Sequence, residues 1–188
     1  MAEGYTDIPH STYDEWYNNT IGHAYDLDGS YGCQCWDYAS LFWRNVGFPA
    51  GYPQTGPLHY AYQCWTYSRV QNAGDTFDLV EGIGLVQKGD VLVLNGTPSN
   101  PPGHITFADE DYDGSGYIWC VGQNQGGTPE PGGGTAVTRN RLGVQDFLGA
   151  FRYKAWHTTP PTPTPTTRDK FPWVLYARKL RNRNINMI

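Results

Sequence analysis

The 188-residue sequence predicts an α+β protein, with helices first and a mostly antiparallel β-sheet after them. Up to about residue 47 the apolar positions recur at helical spacing behind capping residues. From residue 90 onward they fall into short β-branched or aromatic runs, each bounded by Gly, Pro or Asn. The composition agrees with a loop-rich domain: 23 Gly, 14 Pro and 15% aromatic residues, which serve first as core material.

Thr12 followed by Glu15 fits a capping box that opens a short helix over "YDEWYNNTIG". The next helix is expected to begin at Cys35. Tyr38, Leu41, Phe42 and Val46 share its buried face, and Gly47 stops it. A third helical stretch is expected over 59–71. Strands follow over 90–94, 104–109, 116–122, 135–140 and 147–153. The segment 158–170, "TTPPTPTPTTRDK", is a Thr/Pro linker, extended and semi-rigid. Residues 1–157 are therefore read as one domain, and 171–188 as a basic tail or the start of a further module.

The net charge of −5 is uneven. Residues 158–188 hold six Lys/Arg against Asp169, leaving an acidic body, and this argues against nucleic acid as a partner. No stretch approaches the roughly 18 apolar residues of a membrane span. The first residues lack the basic and apolar regions of a signal peptide, so synthesis in a cytoplasm is expected. In that compartment the four cysteines are expected to be free.

The stretch "YDLDGSYGCQCWDYASLFW" (25–43) concentrates the chemistry. A cysteine in the first turn of a helix feels the positive end of the helix dipole, which favours thiolate. Nearby backbone N–H groups can also hold an oxyanion. Cys35 is thus a candidate nucleophile, although most lone cysteines are simply small buried hydrophobes. A thiolate needs a base, and His104, opening the strand "GHITFAD" behind Gly103, is the best placed of the five histidines. The base in turn needs an orienting group. Asn124 in "WCVGQNQGG" is the first candidate, with Gln123 and Asp109 as competitors. Gln34, just before the nucleophile, could add an oxyanion donor, and Gln123 is a second candidate for holding the oxyanion or substrate.

In order and in setting, "GSYGCQCWDYA", "KGDVLVL", "GHITFA" and "VGQNQGG" resemble the successive blocks of the CHAP family, the cysteine, histidine-dependent amidohydrolases/peptidases. The resemblance covers most of residues 12–155. It implies a papain-like fold and a peptidoglycan hydrolase of the phage endolysin kind, cleaving an amide bond of the Gram-positive wall. The bond would be either the muramoyl–alanine amide or a peptide cross-link. It also implies Cys35 as nucleophile, His104 as base and Asn124 as orienting residue, in a monomeric catalytic domain made without a signal peptide. Many members carry an acid two residues before the Asn. Gly122 stands there in this chain, so the expected site is a triad. Two other readings are an NlpC-type endopeptidase, which usually has His as third residue, and a non-catalytic, calcium-stabilised wall-binding module.

The acids have a reading of their own. Oxygen donors at Asp26, Asp28, Ser30, the carbonyl of Gly32 and Asp37 occupy positions 1, 3, 5, 7 and 12 of an EF-hand-like loop. The loop departs from that pattern in ending on Asp rather than Glu and in placing Tyr31 where Gly is usual. Asp37 alone could simply cap the helix. Some CHAP endolysins are similar in holding calcium here, and a structural Ca2+ is expected. Zinc is not, since Cys33 and Cys35 are spaced Cys-x-Cys. Cys64 and Cys120, beside Trp65 and Trp119, read as core.

Overall fold

A computed structural model of the chain describes residues 7–68 and 73–158. Thr12 opens helix α1 (Tyr13–Thr20) by accepting the Glu15 N–H at 3.1 Å. The Glu15 carboxylate does not return to Thr12. It takes the N–H and hydroxyl of Ser11, so the box is shifted by one residue. Helix α2 (Cys35–Asn45) begins at the expected cysteine. Asp37 accepts the Gln34 N–H at 2.9 Å, and Gly47, at φ +97°, follows its end.

The third helix is shorter than expected: α3 spans Gln63–Ser68. His59 adopts a left-handed φ of +55°, and the Tyr62 N–H donates to the Pro102 carbonyl, so residues 59–62 turn rather than coil. Residues 69–71 of that expectation lie outside the described residues, as do 159–170 of the linker and the 171–188 tail. Among the described residues, four further elements escaped the sequence reading: α4 (Ala73–Thr76), β1 (Phe77–Val80), a single 3-10 turn (Ile83–Leu85) and α5 (Lys154–His157).

The remaining strands are β2 (Val91–Leu94), β3 (His104–Ala108), β4 (Tyr117–Gly122), β5 (Thr138–Gly143) and β6 (Phe147–Tyr153). Together with β1 they form one antiparallel sheet in the order β1-β6-β2-β3-β4-β5. β5 starts three residues later than expected. Val137 is held by the α1–α2 connection instead, donating to the His23 carbonyl and accepting from the Gly22 N–H.

Both faces of the sheet are covered, which explains why "VLVL" reads as continuously apolar. Val91, Val93, Ile105, Phe107 and Phe151 face the helices in the larger core, with Trp16, Tyr38, Phe42 and Trp43. Leu92, Ala108, Ile118, Cys120 and Ala150 lie in a smaller core with Val80 and Val86. Cys64 and Cys120 are both fully buried, as read from their neighbours. At the start of β2, fully buried Asp90 takes both Nε and Nη2 of Arg152 on β6, at 2.9 and 2.7 Å. This paired geometry is what lets a carboxylate sit in the interior.

The expected α+β arrangement, helices packed on a mostly antiparallel sheet, is the one found. None of the described helices is long and apolar enough to cross a membrane.

Candidate active site

Cys35 lies at the N-terminus of α2, packed into the larger core, and α2 lies against β3. The first residue of β3 is His104, and its imidazole lies within electrostatic reach of the Cys35 thiol. Burial alone would raise the thiol. The adjacent imidazole, with the N–H groups of Ile105 and Trp36, overcomes that and holds Cys35 below the ordinary thiol value. Burial likewise pulls His104 down, but the Cys35 sulfur and the acceptor on its other side hold it above the ordinary imidazole value. The two shifts have opposite sign, as a thiolate–imidazolium pair requires.

The far nitrogen of His104 corrects the sequence reading. Its Nε2 meets Oε1 of Gln125 at 3.1 Å, not Asn124. Asn124 sits in the loop after β4 at a left-handed φ of +54°, its N–H donating to the Thr135 hydroxyl. Its side-chain amide donates to Oε1 of Gln34 at 2.8 Å, which turns it away from the imidazole. Asp109, the other competitor, binds Tyr13 and Arg139. The signal for Gln125 was present in "GQNQGG", but nothing in its spacing distinguishes one amide of that loop from another.

Gln123 is corrected as well. It is fully buried and takes both the N–H and the carbonyl of Tyr25, at 2.9 and 2.8 Å, and donates to the Gln34 carbonyl. It braces the connection before α2 and has no surface to offer a substrate. Gln34 does line the cleft beside Cys35, with one side-chain N–H donated to the Tyr31 carbonyl at 2.5 Å. That cleft has a volume of about 670 Å³, and Tyr31, Trp36, Leu58, His59 and Tyr60 form much of its wall. Tyr31 and Leu58 are strongly exposed, so the rim presents apolar surface to a large ligand.

Asp26, Asp28 and Asp37 bring one carboxylate oxygen each within 4.8 Å of one another. Asp37 is buried, and its two oxygens accept the N–H groups of Leu27 and Gln34, both at 2.9 Å. Burial pushes its carboxyl up to about 6 despite those bonds, and Asp28 and Asp26 add to the rise. Three clustered carboxylates, one of them buried, suit a hard cation with oxygen ligands. Ser30 lies beside them, its N–H on Asp28, while Gly32 packs its α-carbon against the backbone of Gly132 and Gly133. The carboxylates are the part of the expected ligand set that the fold gathers. Asp37 also caps α2, so the capping and metal readings are compatible.

No family model matches the chain. It is 39% identical over 121 residues to a protein named D-alanyl-L-alanine endopeptidase from Streptococcus phage B30, an alignment covering 62% of this chain and 25% of that one. The chain spans about a quarter of the length of the curated relatives it matches. Among solved structures it is similar to the endolysin LysIME-EF1, with a TM-score of 0.57 and 22% identity over 76% of this chain and 64% of that one. It is also similar to Ly7917, with a TM-score of 0.52 and 20% identity over 79% and 63%. These likenesses establish the fold.

Proposed function

We propose that residues 7–157 form the catalytic module of a phage-type peptidoglycan hydrolase of the CHAP kind, using Cys35 as nucleophile and His104 as acid and base. The observation that carries this reading is the placement of Cys35 in the cleft at the head of α2, against the strand that His104 opens, with the thiol lowered and the imidazole raised by each other. The phage relative's name supports a peptide bond between D-alanine and L-alanine in the wall cross-link as the target.

In this mechanism the Cys35 sulfur attacks the scissile carbonyl carbon, and its oxygen draws on the N–H groups at the start of α2. The C–N bond then breaks as His104 gives its proton to the departing amine, leaving a thioester. His104 next removes a proton from water, which attacks the thioester and frees the thiolate and a carboxylic acid. Gln34 stands where a side-chain N–H could assist the oxyanion.

Mass spectrometry of fragments released from purified Gram-positive walls tests the reading. Cleavage of the cross-link leaves stem peptides on muramic acid and exposes new N-terminal alanines in the bridge. Bare glycan strands would instead mark a muramoyl–alanine amidase. Binding without any fragments would favour a wall-binding module.

The pH profile follows from the two shifts. Activity rises as Cys35 loses its proton, below the ordinary thiol value of about 8.5. It falls as His104 loses its own, above the ordinary imidazole value of about 6.5. The expected profile is a bell with its plateau across neutral pH. A single limb rising near the ordinary thiol value would contradict the ion pair.

Asp26, Asp28 and Asp37 would hold the calcium, which when bound would neutralise the cluster and fasten the chain ahead of α2 to its first turn. With millimolar calcium the melting temperature should rise by several degrees, since a ligand at about 100 times its Kd adds roughly 2.7 kcal/mol. Asp28→Asn should abolish that rise, yet without calcium it should be neutral or stabilising because a repulsive charge beside Asp37 is gone. An unchanged melting curve in calcium would remove the metal from the account.

A further inference from the structure

We infer that Gln125 is the positioning residue of His104, and that it can reach the imidazole because position 122 carries no side chain. The inference deepens the hydrolase reading and rests on it for its catalytic meaning.

The orientation of the Gln125 amide is determined by its surroundings. Its Nε2 lies 3.0 Å from the Cys120 carbonyl and 2.9 Å from the Thr138 carbonyl, so both N–H bonds are committed to acceptors. Oε1 is therefore the end that faces Thr106 Oγ1, at 2.8 Å, and His104 Nε2, at 3.1 Å. A carbonyl oxygen only accepts, so His104 must present Nε2–H to it. In the neutral ring this leaves the Nδ1 lone pair as the basic site. Among the described residues, Cys35 is the titratable group that pulls on His104, and Gln125 adds an uncharged acceptor. Behind Cys35, the buried thiol of Cys64 is the next group within electrostatic reach.

The loop is folded around this contact. After β4 the chain reverses, and the Gln125 carbonyl accepts the side-chain amide of Asn140 at 2.6 Å. Gly126 and Gly127 follow at φ +113° and +102°. The Gln125 side chain thus turns back beneath β3 and β4. A β-carbon on Gly122 would stand 2.7 Å from Gln125 Oε1 and 2.8 Å from Thr106 Oγ1. The space that a side chain at 122 would fill is the space that the Gln125 amide occupies. Its four polar contacts and near-complete burial distinguish it from Asn124, whose side chain donates to Gln34 at the exposed side of the same loop.

The test compares Gln125→Met, which keeps the length and removes the acceptor, with Asn124→Ala and Gly122→Ala. The first readout is the imidazole Nε2 proton in nitrogen-15-labelled protein, assigned by its loss in His104→Gln. In wild type it should be present, protected from solvent exchange, and close to the Gln125 side-chain methylenes. Asn124→Ala should leave it unchanged, whereas Gln125→Met and Gly122→Ala should lose the protection. The second readout is fragment release from walls. Gln125→Met should lower the saturating rate on the order of tenfold or more, at a similar half-saturating wall concentration, as expected for losing a hydrogen bond to a charged partner. A wild-type ring protonated on Nδ1 instead would overturn the inference, even if Gln125→Met failed to fold. So would loss of the Nε2 proton in Asn124→Ala with its retention in Gln125→Met. The spectra need no substrate, so a wild type that cleaved no wall would defeat the hydrolase reading and leave this comparison intact.

Discussion

Cys35→Ala is expected to reduce wall cleavage to background, a loss of about 10³-fold or more, without lowering the melting temperature appreciably. The size follows from what the sulfur does: without it no thioester forms, and the remaining groups can only bind and polarise the substrate. The small stability effect follows from the surroundings. Cys35 is a small side chain at a helix end, and its removal leaves the Asp37 cap and the Phe42 cluster in place. The measurement is fragment release beside a thermal melt of the same preparation. Substantial residual cleavage by a folded Cys35→Ala protein would mean that another group is the nucleophile.

Phe42→Ala should do the reverse. Phe42 is fully buried, and its ring meets those of Trp16, Trp43, Phe77, Phe107, Tyr153 and Trp156 at centroid distances of 4.7–6.2 Å. Removing it opens a cavity among large, stiff rings that cannot collapse around it. The expected cost is about 3–5 kcal/mol. For a domain of this size the melting temperature should fall by roughly 10 °C. Well below the new transition the protein should still cleave, because Phe42 does not touch the cleft. If the melt shifts by only a degree or two, the aromatic cluster is not the stabilising centre of the helix–sheet interface.

Elements whose signals are local are legible in the amino-acid sequence itself. Thr12, Cys35 and Gly47 mark helix boundaries through caps and a left-handed stop, and "DVLVL" and "FLGAFRY" mark strands through β-branched and aromatic content. β1 was missed because "FDLV" is brief, and its identity as a strand comes from pairing with β6 some seventy residues later. β5 was misplaced because Val137 is claimed by the distant turn at Gly22 and His23, and Thr135 by Pro129 and Asn124. The site divides in the same way. Cys35 and His104 could be chosen from helix position and from glycine-preceded strand position. The choice among Gln123, Asn124 and Gln125 depends on which way each amide turns, and that is decided by Tyr25, Gln34 and the vacancy at Gly122.

The pair at the head of α2 joins residues 35 and 104, and the amide beneath it comes from 125, so the site closes two long loops of chain. Closing such loops costs chain entropy, which the packing of the sheet must offset. Until β3 docks on α2 the cysteine lacks its imidazole neighbour and is an ordinary thiol. An emerging or misfolded chain therefore carries no activated sulfur. On the proposed mechanism, the activated sulfur is a property of the folded helix–strand contact and not of the cysteine alone.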